Sequence, residues 1–264
     1  MKQRTLKLLF AMMALFVTSR AVAWETFGHT VISYADEQLL HPEVKQKCRK
    51  YLGTTVTYQA SWMDQYRSIE PYTDCDKWHS TNIDAKYKVV VGVPTTGAYH
   101  IERIRKEMMN GGYKTMPDSL VKINLQYLIH MIPDHHCPVH VRWSKKDHPQ
   151  FFYSLKNKGK KLSYHGFWDG ALKRWRNGWT ADKYFDQMEK LSKGEAKKVA
   201  KGDGYKWTQQ TADVARLCFA ITPADTDIAK LSKEKQAEIH AIADRQAQRA
   251  AYRLAAVLNE IFKE

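Results

Sequence analysis

Apolar residues recur at intervals of three and four over residues 30–40, 99–109, 120–132, 207–221 and 233–262. That period sets one face of an α-helix against a core. The last segment is the longest, and its stripe of Ala241, Ala243, Ala247, Ala251, Leu254, Ala255 and Leu258 is wide enough to pack against several neighbours. Strand signals are scarce. Residues 87–93, an apolar β-branched run closed by Pro94, read as extended, either a short hairpin arm or a buried loop. Glycine and proline are sparse, no internal repeat stands out, and the polar runs long enough for loops fall near 156–161 and 193–204. The pattern predicts an all-α fold, a single compact multi-helix domain.

The front of the chain follows another rule. Lys2, Arg4 and Lys7 precede an apolar run over residues 8–17, and Ala21-Val22-Ala23 follows it. This is the three-part layout of a secretory signal peptide. The run is too short to cross a bilayer comfortably, and no later segment reaches the roughly 20 apolar residues that a span needs. We therefore expect residues 1–23 to be a signal peptide cleaved between Ala23 and Trp24. Residues 24–264 then form a soluble domain, secreted or periplasmic, with no membrane span.

Charge and cysteine content narrow the chemistry. The chain carries 42 Lys and Arg against 28 Asp and Glu, a net charge of +14, which falls to +10 once the leader's four basic residues are removed. Such a surplus suits a polyanionic substrate or surface. The lysines are spread through the second half and not gathered with aromatics, so charge alone does not define a nucleic-acid groove. Cys48, Cys75, Cys137 and Cys218 in an exported chain permit up to two disulfides, in any of three pairings. None shows the C-x-x-C spacing of a thiolate zinc site, so metal chemistry here would rest on histidine and carboxylate.

His130 and Asp134 stand four apart, one helical turn, and His140 follows six residues later. Two such ligands on one helical face converge on one ion without straining the backbone. A His-x-x-x-Asp pair alone is more often an ion pair than a metal site, and Pro133 between them would kink the helix. The same spacing recurs at His165 and Asp169 beside Phe167 and Trp168. Asp64 follows Trp62, His79 follows Trp78, and His29 lies five residues after Trp24. Tryptophans at these places can hold ligands rigidly and away from water.

In this order the fragments resemble the S1/P1 nucleases, which share a compact all-helical fold with the zinc-dependent phospholipases C. The resemblance rests on Trp24, Phe27-Gly28-His29, Ala60-x-Trp62-x-Asp64, Trp78-His79, the spacing of His130, Asp134 and His140, His165-x-x-Trp168-Asp169, and Ala251-Tyr252-Arg253-Leu254-Ala255. It spans essentially all of residues 24–264. It implies three zinc ions. The first would take Asp64, His79, His130 and Asp134; the second His140, His165 and Asp169; the third the α-amino group and carbonyl of Trp24, His29 and the other oxygen of Asp134. It also implies an endonuclease or 3′-nucleotidase acting on single-stranded DNA, RNA or nucleotides and leaving 5′-phosphates. Asp64 would orient the attacking water or accept its proton, and Arg67 would meet a phosphate or else make a surface salt bridge.

The sequence departs from the family pattern at several places. An aromatic residue that stacks a nucleobase commonly follows the histidine at position 79, and here it is Ser80. Stacking contributes about 1–3 kcal/mol per base. Asn82, at a position that reads base edges in relatives, keeps a hydrogen-bonding side chain. Pro133 replaces a glycine and Cys137 a glutamine. His135 and His136 match no ligand position, and His41, His100, His148 and His240 have no partner that the sequence reveals. Two other readings are a phospholipase C acting on phosphatidylcholine and a non-catalytic zinc-binding relative. Asp169 favours the nuclease, since phospholipases of this fold usually carry glutamate there. A monomer is the default expectation.

Overall fold

A computed structural model describes residues 24–142 and 147–263, so the expected leader lies outside the described residues. Helices α1 (Thr26–Leu39), α2 (Pro42–Leu52) and α3 (Trp62–Tyr66) lead to α4 (Gly97–Met108) and α5 (Asp118–Asp134). They are followed by α6 (Tyr164–Asp169), α7 (Ala181–Gln187), α8 (Lys193–Ala200), α9 (Gly204–Ile221) and α10 (Lys233–Ile261). The fold is all-α, and each long periodic segment is a helix close to its expected bounds. The two long C-terminal helices start on side-chain caps: Asp203 accepts from the Lys206 N–H for α9, and Ser232 from the Lys235 N–H for α10.

Helix α10 packs on α1, α5, α8 and α9, and its stripe is buried from Ala243 onward while Ala241 is exposed. One apolar cluster gathers α2, α4, α5 and the end of α10 around Met108, Leu128 and Leu258. A second gathers α1, α6 and the first part of α10 around Ile32, Phe167 and Ala247. Each fully buried side chain of this size contributes about 1.5–3 kcal/mol of transfer free energy. Helix α10 contributes to both clusters, and Cys137 and Val139, just beyond α5, belong to the second, so the C-terminal end of α5 lies where the two meet.

Residues 87–93 give a short hairpin arm, one of the two forms expected, with an antiparallel bridge from Ile83 to Val89; the two loop expectations are corrected. The Val90 N–H donates to the Asn82 carbonyl, and α9 side chains take other backbone groups: the Val89 N–H donates to Gln209, Gln209 donates to the Tyr87 carbonyl, and the Gly92 N–H donates to the Tyr205 hydroxyl. The polar run near 156–161 is a hairpin of β3 (Ser154–Asn157) and β4 (Lys160–Ser163), turned by Lys158 and Gly159 at positive φ. The run near 193–204 begins with α8, held by a capping box between Ser192 and Glu195.

The disulfides permitted by the sequence are not formed. All four cysteines are free and buried. Cys48 and Cys75 are absorbed into the first apolar cluster and Cys137 and Cys218 into the second, where a thiol packs as a small apolar side chain.

Candidate metal centre

The last turn of α5 is the base of the site. His130 and Asp134 are fully buried one turn apart, and the His130 Nδ1 bonds the Ala60 carbonyl at 2.8 Å, leaving Nε2 turned inward. Pro133 stays within the helix. Its carbonyl accepts from the Trp24 indole N–H at 2.9 Å, which fastens residue 24 beside Asp134. Gly28 makes this approach possible, because a Cβ there would stand 3.0 Å from the Trp24 Cβ and 3.1 Å from Leu172 Cδ1.

A short parallel ladder brings in the next ligands. β1 (Thr81–Asn82) pairs with β2 (Val141–Arg142), and the His140 Nδ1 bonds the His79 carbonyl at 2.7 Å. The two strands thereby hold His79 and His140 side by side. α6 supplies His165 and Asp169 on one face, as their spacing requires.

Asp134 is the pivot. His29 Nε2 lies 3.0 Å from its Oδ1 and His79 Nδ1 lies 2.9 Å from its Oδ2. His130 Nε2 is 3.5 Å from Asp134 Oδ2 and 3.8 Å from Asp64 Oδ2. Nearer the surface, His165 Nε2 stands 2.9 Å from Asp169 Oδ2 and 3.2 Å from His140 Nε2, while His140 Nε2 is 3.6 Å from Asp169 Oδ1. Trp24, His29, Asp64, His79, His130, Asp134, His140, His165 and Asp169 are thus all brought to one region.

Several of these atoms are buried without a hydrogen-bond partner among the described residues: His29 Nε2, Asp64 Oδ1 and Oδ2, His79 Nε2, His130 Nε2 and Asp134 Oδ1. Burying a polar atom unpaired costs about 1–3 kcal/mol. His29 Nε2 and Asp134 Oδ1 approach closely without the alignment of a hydrogen bond, as expected of two lone pairs aimed at a common third point. Burial, reinforced by the neighbouring His29, holds His130 neutral, its pKa pulled down to about 3. Burial opposes ionisation of Asp134, but the His130 and His29 imidazoles outweigh it and keep that carboxyl well below its usual range. Neutral imidazole and ionised carboxylate are the states that bind cations, and the set fits zinc in donor type. Three groups have donor atoms close enough to share an ion: His29, Asp64 and His130; His79, His130 and Asp134, which shares His130 with the first; and, separately, Cys137, His140 and Asp169.

A cleft of about 830 Å³ opens onto the outer group, lined by Arg67, His79, Ser80, His140, Arg142, Phe152, Tyr153 and His165 among others. Arg67 is buried, 3.6 Å from oxygens of both Asp64 and Asp76, so it is no surface pair. Asn82 is half-buried on β1, opposite Arg142.

Sequence reasoning missed three things. Cys137 faces Asp169, its sulfur 3.3 Å from Oδ1. Phe152 and Tyr153 expose their rings beside the cleft. His135 and His136 turn away from the centre and are fully held: His135 between the Met131 carbonyl and Thr81, His136 between the Ile132 carbonyl and Arg253. Asp134, three residues earlier, offered a signal for Cys137; the other partners are tertiary and left no mark in the sequence.

A helical domain that gathers imidazoles and carboxylates in a buried cluster under an open cleft has the build of a metal-dependent hydrolase. The family model for S1/P1 nuclease matches residues 24–263, and the chain belongs to that family. Membership makes it a nuclease of a metal-dependent family, a hydrolase of phosphodiester bonds. Among curated proteins no match is found. No helix among the described residues is long and apolar enough to cross a membrane.

Proposed function

We propose that the protein is an exported zinc-dependent endonuclease and 3′-nucleotidase that cleaves single-stranded DNA or RNA to 5′-phosphorylated products. The observation that carries this reading is the double-sided contact of Asp134. One imidazole faces each of its oxygens, His29 at 3.0 Å and His79 at 2.9 Å, as a carboxylate shared by two cations requires. Asp64, His79, His130 and Asp134 would hold the first zinc. His140, His165 and Asp169 would hold the second, and Trp24 through its amine and carbonyl, His29 and Asp134 the third.

Cations bound there lower the pKa of water toward neutrality and offset negative charge as it builds on the phosphate. The chain's own residues do the rest. Asp64, whose oxygens lie near Arg67 but make no hydrogen bond among the described residues, accepts the proton of the attacking water and passes it to O3′, as the water oxygen bonds to phosphorus and the P–O3′ bond breaks. Arg67 lines the cleft, where a guanidinium can hold a non-bridging phosphate oxygen. Phe152 and Tyr153, 54% and 43% exposed in the same cleft, offer the stacking surface that Ser80 does not. Asn82 remains the candidate for contacts to base edges.

Export is supported by the layout of residues 1–23 and by the general secretion of family members. Trp24 adds support, since it is buried beside Asp134 with its indole N–H held by the Pro133 carbonyl. A terminal amine has the lone pair that an amide nitrogen lacks.

The test is metal content and hydrolysis of single-stranded DNA on one preparation that begins at Trp24, compared with one carrying an extra residue before it. Three zincs with 5′-phosphorylated products, both reduced by the extra residue, are expected. Release of phosphocholine from phosphatidylcholine without nucleic-acid cleavage would replace the reading with a lipase, and binding of fewer than two zincs by both forms would remove the mechanism.

A further inference from the structure

Cys137 is the one polar group of this centre that hydrolysis, as derived above, does not employ. It follows Asp134 by three residues in the turn that leads from α5 to β2. Its side chain is wholly buried, and the thiol donates to Asp169 Oδ1 at 3.3 Å. The sulfur also accepts from the backbone N–H of Val139. The sulfur, a ring nitrogen of His140 and an oxygen of Asp169 all lie within 4.8 Å of one another.

We propose that Cys137 is a sulfur ligand of the cation held by His140, His165 and Asp169, which makes this centre a mixed nitrogen, oxygen and sulfur site. The inference rests on the reading that the cluster binds divalent cations, and adds to it a ligand from outside the nitrogen and oxygen set. Three independent features support it. Distance places the sulfur among two other donors. Composition is right, because imidazole, carboxylate and thiolate are all zinc ligands. The surroundings are right as well, because the Val139 N–H directed at sulfur stabilises a thiolate once it forms, in the manner of the outer hydrogen bonds that tune metal ligands. Cys48, Cys75 and Cys218 are buried too, yet none of them belongs to such a group.

Without a cation the thiol keeps its proton, and burial together with the Asp169 charge pushes its pKa well up. On loading, the S–H bond breaks, a sulfur–zinc bond forms and the proton leaves to solvent, so this ligand releases one proton for the zinc taken up. A thiolate favours zinc and cadmium over magnesium, calcium and manganese. The centre nearest the cleft therefore discriminates against hard cations, although it opens to solvent through His165, which is 27% exposed.

The experiment uses the full mature chain, stripped with a chelator and reloaded with zinc or cobalt(II), with bound metal counted on every sample. X-ray absorption at the zinc edge of the unmutated protein is expected to show a sulfur neighbour at about 2.3 Å, with an average sulfur count per zinc of one divided by the number of zinc ions bound. The cobalt form is expected to show an intense near-ultraviolet sulfur-to-cobalt absorption. Cys137→Ser and Cys137→Ala, checked for helicity by circular dichroism, are expected to lose that band while still binding cobalt. Bound ions with no sulfur neighbour, or a band that survives both substitutions, would overturn the assignment and leave the nuclease reading intact. Failure to bind any ion would remove both, and the metal count tells the two failures apart.

Discussion

Asp36 lies inside α1 with both carboxyl oxygens buried and no hydrogen-bond partner among the described residues. Burial, with the adjacent Glu37 charge, raises its pKa well above the ordinary 3.8. Because the folded value exceeds the unfolded one, the wild type has its full stability below the unfolded pKa and loses it as pH rises toward the folded value. Asp36→Asn is therefore expected to be more stable than wild type at pH 7, by about 1–3 kcal/mol, and the gain should close as pH falls toward 4. Urea unfolding of both proteins at several pH values measures this. A constant difference across pH would show that Asp36 is not the titrating group. The cleft makes a second prediction at this scale. Phe152→Ala should raise KM for oligonucleotides by the equivalent of about 1–3 kcal/mol per stacked base, with kcat little changed, and steady-state kinetics on a short oligothymidylate will show it. An unchanged KM would move the stacking surface elsewhere.

At the level of elements, Gly97 shows how closely α4 approaches the segment that carries His79. A Cβ at Gly97 would stand 2.0 Å from the Trp78 carbonyl oxygen and 2.1 Å from His135 Cε1. Neither neighbour gives easily, since one is backbone and the other is held by Thr81 at 2.8 Å. Gly97→Ala should destabilise the fold by about 3 kcal/mol and loosen metal binding together with it, as thermal melts and metal counts on the variant will test. The helices that build this scaffold were legible wherever a 3.6-residue period ran long enough, as in α5 and α10. α8 and the β3–β4 hairpin were not, because α8 has no buried residue and the hairpin is mostly exposed, with Leu155 alone fully buried. Local hydrogen bonding and turn chemistry decide such segments, without a hydrophobic period. The centre was legible for a different reason: its ligands come in short motifs, and those of α5 and α6 are pairs one turn apart. The partners that orient them, such as the Ala60 carbonyl for His130, come from parts of the chain with no pattern of their own.

For the molecule as a whole, the buried unpaired atoms around Asp134 link metal content to stability. An ion that binds only the folded chain stabilises it by mass action, about 2.7 kcal/mol at a hundred times its dissociation constant. Chelation should lower the melting temperature, and zinc should restore it more fully than magnesium does. A melt that ignores metal would contradict this. The surplus of 42 basic over 28 acidic residues makes a further prediction: KM for single-stranded DNA should rise with salt as counterions compete for the same charges, and a KM indifferent to salt would assign recognition to the cleft alone. The four unpaired thiols have a practical consequence as well. Since no cross-link joins distant parts of the chain, recovery of the native state from denaturant needs no oxidant, and production in a reducing host should yield the same fold as production in an oxidising one.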